Sequence, residues 1–138
     1  DSHCHLGFDG LGERLDDVLL EMDRAHVSAA LCVCTTLEEA DHVLDLSRRS
    51  VSLWASVGVH PDTESTPQHP HREPTVETLV ARAQDPKIRA IGETGLDYYR
   101  LNGRSMAEMA WQTDRFAVRL GKVSCRSSFT PAVRAKTP

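Results

Sequence analysis

The chain has 138 residues, 40% hydrophobic and 26% charged, a balance that excludes disordered, collagen-like and disulfide-scaffold classes and suits one compact domain with a core. No apolar run reaches membrane-spanning length and no secretory pattern opens the chain, so no membrane partner is expected. The net charge of −4 is uneven: residues 117–138 hold five of the 16 Lys/Arg and none of the 20 Asp/Glu, leaving −9 over residues 1–116.

Asp1–His5 reads as the end of a first strand, and because position 1 is Asp and already lies inside a motif, the chain is expected to lack a few residues of that strand. Gly7, Gly10 and Gly12 give a loop. Leu15, Val18, Leu19 and Met22 then recur at helical spacing. Ala29–Thr35 is a buried strand. Leu37, Ala40, Val43 and Leu44 mark a second helix, with Thr36 as N-cap and Glu39 in the capping-box place. Val51–Val59 is a third strand, closed by His60-Pro61. A polar loop follows as far as Glu73. Pro74 suits the first turn of a third helix with Val76, Leu79, Val80 and Ala83 on its apolar face, ended by Asp85-Pro86. Ile88–Ile91 is a fourth strand, and a fourth helix runs from Met106 through Trp111 and Gln112 towards Phe116.

Strands alternating with helices imply a parallel sheet with right-handed crossovers. Four such β/α units make half of a (β/α)₈ barrel. The polar residues His3, His5, His60 and Glu93 all fall at the C-terminal ends of strands, the edge where such sheets build active sites.

His3-x-His5 on a strand puts two imidazoles on one face, with Cα atoms about 7 Å apart, both able to reach one divalent cation. Glu93 follows Ala-Ile-Gly at the end of a buried strand, where a carboxylate is costly unless paired. Its partner is either metal or a salt bridge to Arg89 or Arg100. A carboxylate can also bridge two metals, the geometry two-metal hydrolysis uses. Asp97 orients a ligand, contacts substrate or caps a helix. His60 either meets a substrate phosphate at the rim or is a loop histidine bonded to backbone. Tyr98 and Tyr99 stack on a base or pack. His69 and His71 are expected in solvent, His26 and His42 in structural places on helices. Cys32 and Cys34 share a strand face and pack as small hydrophobes; C-x-C without a second pair is weak evidence for zinc. The cysteine pattern shows no disulfide framework, which points to a reducing cytoplasm.

The segments DSHCHL, SVGVHP and AIGETGLDYYR, followed by WQ and Phe116, resemble TatD-type metal-dependent nucleases, within the amidohydrolase-like barrels. The resemblance spans about residues 1–116 and is most specific around Glu93. It implies a (β/α)₈ barrel and two divalent metal ions (Mg, Mn or Zn). It also implies phosphodiester cleavage in DNA, typically from a 3′ end, with RNA as a further substrate, by metal-activated water. By motif, His3 and His5 hold one metal and Glu93 bridges both as the catalytic carboxylate, while His60, Asp97 and Tyr98 face substrate.

The family's other ligands, a His ending the fifth strand, a His from the sixth and an Asp from the eighth that would serve as general base, have no counterpart in this sequence. The tail Ala117–Pro138 has no helical period and no strand alternation. Back-translated with chosen codons and read one base earlier, Cys125–Pro138 becomes LPVVIHTRGAREDA, close to the family's fifth strand, and restoring one base after the Phe116 codon extends the match upstream. The tail is therefore expected to be an out-of-frame or disordered addition; a basic nucleic-acid-binding tail is the alternative. Half a barrel leaves open sheet edges, so little nuclease activity is expected of this chain alone. The alternatives are a related barrel hydrolase of small esters or amides, and a non-catalytic degenerate fragment.

Overall fold

The computed structural model describes residues 1–99 and 101–120, the last three of them by backbone only. Three strands, β1 (Ala30–Cys32), β2 (Leu53–Val57) and β3 (Ile88–Ile91), form one parallel sheet in the order β1-β2-β3. Between and around them run α1 (Leu15–Arg24), α2 (Ala40–Arg48), α3 (Val76–Arg82) and α4 (Trp111–Leu120). Strand, helix, strand in parallel order is the expected topology, and the burial explains it: Leu53, Ala55 and Val57 are fully buried on one face of β2, and Ser56 is buried with Trp54 half-buried on the other, so β2 is covered on both faces. α2 packs Val43 and Leu46 into the core that Leu53, Ala55 and Val57 build, and Leu15 adds the start of α1 to it.

The opening segment differs from expectation. It pairs with β1 through one bridge, Cys4 opposite Cys32, rather than as a full strand. The reason is local. Leu31 N–H donates to Asp1 O and Cys4 N–H donates to Leu31 O, so one residue more than a regular parallel ladder needs stands between the two contacts. The His3 N–H turns instead to the Asp1 carboxylate, at 2.9 Å. An irregularity also occurs on β3. Ala55 lies opposite Ile88 and Ser56 opposite Ala90, which leaves Arg89 without a partner. Its guanidinium lies over the Trp54 ring, 4.4 Å from the centroid. Such bulges re-aim the residues beyond them, and Glu93 lies just beyond this one.

The helices start later than their periodicity suggests. Thr36 Oγ1 accepts the Glu39 N–H at 3.2 Å as a cap should, but the Glu39 carboxylate takes the N–H and hydroxyl of Thr35, at 3.1 and 2.7 Å, instead of Thr36 N–H. Residues 37–39 therefore turn before α2 begins at Ala40. Pro74 is not in the first turn of α3; it precedes the N-cap, Thr75, whose side chain accepts the Thr78 N–H. Val80 is exposed, because Leu79 is the residue α3 turns into the core. Met106 is exposed as well, and α4 is preceded by a short 3₁₀ turn over Ala107–Met109, with Met109 buried. α4 carries on over residues 117–120, which the sequence reading assigns to the aperiodic tail. The rest of that tail, residues 121–138, with Cys125 and Phe129, lies outside the described residues, as does Arg100.

Thr75→Ala removes one cap bond from a seven-residue helix. The expected loss is about 1 kcal/mol, read as a lower melting temperature. No described helix is long and apolar enough to cross a membrane.

Candidate metal centre

The three motifs meet. His3 Nε2 stands 3.6 Å from Glu93 Oε1 and His5 Nε2 stands 4.0 Å from Glu93 Oε2, so each imidazole faces its own carboxylate oxygen. The two Nε2 atoms are 3.2 Å apart. That spacing suits two nitrogens each about 2.0–2.1 Å from a shared ion. His3, His5 and Glu93 each offer one ligand atom within 4.8 Å of the others. Glu93 Oε2 is buried with no hydrogen-bond partner. A buried carboxylate oxygen left unpaired is costly, and a cation between it and the histidines removes that cost. The donor set, two imidazoles and a carboxylate, suits a borderline or hard divalent ion.

Each side chain is aimed by local structure. Cys4 turns towards Cys32 on β1, which sends its neighbours His3 and His5 to the opposite face. His5 Nδ1 bonds Val33 O at 3.0 Å. A carbonyl only accepts, so Nδ1 carries the proton and Nε2 is left with its lone pair, the form a metal ligand needs. The other side of the His5 ring is stacked on Phe8, with centroids 4.8 Å apart and planes at 16°. Glu93 leaves β3 under close control. Gly92 N–H donates to Val57 O at 2.9 Å, Ser56 Oγ donates to Gly92 O at 2.7 Å, and Glu93 N–H reaches Cys34 O at 3.4 Å. Gly58 lies so near that a Cβ there would stand 2.5 Å from the Gly92 carbonyl carbon.

His60 joins the group from the end of β2, with Nε2 3.6 Å from Glu93 Oε1. It differs from His5 in kind. Its Nδ1 accepts the Asp62 N–H at 3.0 Å, so in the neutral ring Nε2 holds the proton and acts as a donor. The contact with backbone and the place at the rim are thus both realised. Arg89 is spent on Trp54 and does not pair with Glu93. Asp97 does not join the metal group: its carboxylate accepts the Tyr99 N–H at 2.9 Å, a turn of the loop rather than a helix cap. Tyr98 is half-buried beside it and Tyr99 is exposed.

The remaining histidines and cysteines fall mostly as expected. His69 is exposed, but His71 lies 3.7 Å from Glu38 instead of in open solvent. His26 is not helical; it takes a positive φ of 57° just past α1. His42 is on α2, exposed, near Gly7. Cys32 and Cys34 are buried, and burial pushes the Cys34 thiol up. The hydrogen bond from Cys32 draws Cys4 down to about 7, while that same contact, with burial, pushes Cys32 up. Sequence reasoning missed Phe8, Ser56 and Gly58. Their partners lie on other strands or in the loop itself, and no local pattern marks them.

A parallel α/β sheet with an H-x-H pair and a glutamate converging at the C-terminal ends of its strands defines the class: one edge of a barrel-type metal site. The comparisons with known proteins agree. The family model described as TatD related DNase matches residues 1–120, and the chain belongs to that family. The uncharacterized metal-dependent hydrolase YcfH of Escherichia coli K12 is 38% identical over 102 residues, 72% of this chain and 36% of that protein. The 3′-5′ ssDNA/RNA exonuclease TatD of Cronobacter turicensis is 35% identical over 85 residues, 62% of this chain and 31% of that protein. The crystal structure of the TatD homologue YjjV from Escherichia coli K12 superimposes with a TM-score of 0.66 at 25% identity, covering 84% of this chain and 44% of that one. That neighbour is a TIM barrel, and this chain covers part of it. The chain spans about a third of the length of the curated relatives it matches.

Proposed function

We propose that this chain carries the opening half of the metal site of a TatD-type hydrolase acting on phosphodiester bonds in single-stranded nucleic acid. His3, His5 and Glu93 would hold the divalent metal in this reading. The observation that carries it is the convergence of both Nε2 atoms on the two oxygens of a carboxylate whose Oε2 has no other partner. When bound, divalent ions supply Lewis-acid activation of water and neutralise charge that develops on phosphoryl oxygens. The chain's own residues do the rest. Val33 O holds His5 in the ligand tautomer. The Asp62 N–H holds His60 as a donor, so its Nε2–H passes from Glu93 to a non-bridging phosphoryl oxygen when substrate arrives. Asp97 and Tyr98, on the loop that leaves Glu93, form the substrate-facing edge. Single-stranded DNA is the substrate in this reading, with RNA beside it, as both stand in the name of the Cronobacter exonuclease. Free thiols at Cys4, Cys32 and Cys34 suit a reducing, cytoplasmic setting.

The test compares a 3′-labelled single strand with p-nitrophenyl acetate and a phosphotriester, each with and without Mn²⁺. The expected result is slow, strictly divalent-dependent release of nucleotide by the 138-residue chain and none from the small esters. Ester hydrolysis faster than nucleotide release would replace this reading with the small-ester one. Robust DNA turnover would overturn the view that the chain supplies only part of the site. The out-of-frame origin of residues 117–138 is a proposal too, and the nucleotide sequence around codon 116 decides it.

A further inference from the structure

Among the described residues five polar or charged side chains are buried, and two of them, Gln112 and Arg115, sit one helical turn apart on α4. The metal chemistry uses neither. Both direct their polar atoms to the backbones of the two loops that carry site residues. Gln112 is fully buried; its Oε1 accepts the Asp97 N–H at 2.7 Å and its Nε2 donates to Asp97 O at 2.9 Å. The side-chain amide thus closes on Asp97 as a neighbouring strand would, four residues beyond Glu93. Arg115 donates from Nη1 to His60 O at 2.8 Å and to Pro61 O at 3.3 Å. Its Nε and Nη2 are held by the Glu73 carboxylate at 2.8 and 2.5 Å. Trp111 Nε1 adds a second donor to Pro61 O at 3.3 Å.

We propose that Gln112 and Arg115 are positioning residues, which make α4 a clasp that fixes the His60 and Glu93–Asp97 loops relative to each other and so sets the metal site. The inference rests on the metal reading above. The geometry is specific to these side chains. Only an amide of this length satisfies both the N–H and the C=O of one residue at once. A glutamate keeps the acceptor and loses the donor, and an apolar residue leaves two buried backbone groups unpaired. Arg115 spans two elements because its planar fork engages a carboxylate and carbonyls together, which a lysine does not do. Backbone contacts hold the two loops only as far as His60 and Glu93; α4 adds a cross-link between the Pro61 and Asp97 segments beyond them.

The experiment measures Mn²⁺ affinity by calorimetry and the bound-ion EPR spectrum in the full chain, for the parent, Gln112→Met, Gln112→Glu and the distant core variant Leu46→Ala. Outer partners of a metal site typically cost about 10- to 100-fold in affinity when removed, and Gln112→Met is expected in that range with a broadened spectrum. Gln112→Glu keeps the bond from the Asp97 N–H but sets a buried carboxylate oxygen against Asp97 O, and is expected to lose at least as much. Leu46→Ala should lower the melting temperature without moving Mn²⁺ affinity. Unchanged affinity in Gln112→Met and Gln112→Glu overturns the clasp, as does an equal loss in Leu46→Ala, which makes the effect one of general stability. Failure of the parent to bind Mn²⁺ sinks the metal reading itself, and this inference with it.

Discussion

Glu93→Gln is expected to weaken Mn²⁺ binding by more than the about 10- to 100-fold that removal of an outer partner costs, while leaving the metal-free protein as stable as the parent or slightly more so. The two halves of the prediction have one cause. In the parent the carboxylate is three-quarters buried, with a side-chain exposure of 24%, and its Oε2 has no hydrogen bond. Its charge is useful only when a cation stands between it and the imidazoles of His3 and His5. Gln keeps the size and removes the charge, so the site loses a strong ligand and the unliganded fold loses a burden. Thermal melts read both effects. Metal at about 100 times its dissociation constant stabilises a one-site protein by about 2.7 kcal/mol, which raises the melting temperature of a domain this size by several degrees. The parent should show that rise and Glu93→Gln should show none. Equal Mn²⁺ shifts in parent and variant would remove Glu93 from the site.

What could be read from the sequence follows the range of the forces involved. Ile88–Ile91 was legible residue for residue, because Asp85-Pro86 and Gly92 punctuate both ends and only Lys87 stands between the first break and the strand. The His3, His5 and Glu93 cluster was legible because each residue type has few inexpensive roles at the end of a buried strand. The first strand was overread. The Asp1 carboxylate captures the His3 N–H, and no propensity scale contains that competition. His60 was half legible. Its place at the rim follows from the strand it ends, but its role as a donor depends on the Asp62 N–H two residues on, which is a property of the turn. Gln112 and Arg115 were hardest. An amphipathic helix does not reveal which polar residues point inward, and their partners at residues 97, 60 and 73 are remote in sequence.

The second large effect is expected at a residue with no chemistry of its own. In Gly58→Ala the added Cβ meets backbone on every side it faces: 2.5 Å from the Gly92 carbonyl carbon, 2.7 Å from its oxygen and 2.9 Å from the Glu93 oxygen. None of these is a flexible side-chain tip. The Gly92 peptide cannot slide away freely, since its N–H is bonded to Val57 O and its carbonyl to Ser56 Oγ. Either those bonds break or β2 and β3 separate at the rim, and in both cases the carboxylate that follows is displaced. Forced overpacking typically costs about 1–3 kcal/mol; collision with fixed backbone should reach the top of that range. Mn²⁺ affinity should fall alongside stability. Gly10→Ala separates the two causes. Gly10 has a φ of +82° with nothing within 4 Å of an added Cβ, so the substitution strains the backbone by about 1–2 kcal/mol without pushing on a neighbour. It should lower the melting temperature modestly and leave Mn²⁺ binding intact. Calorimetric titration of both variants would discriminate: if Gly58→Ala also bound Mn²⁺ like the parent, the Glu93 carboxylate would not depend on the approach of β2 to Gly92, and the backbone at the end of β3 would have to hold its aim alone.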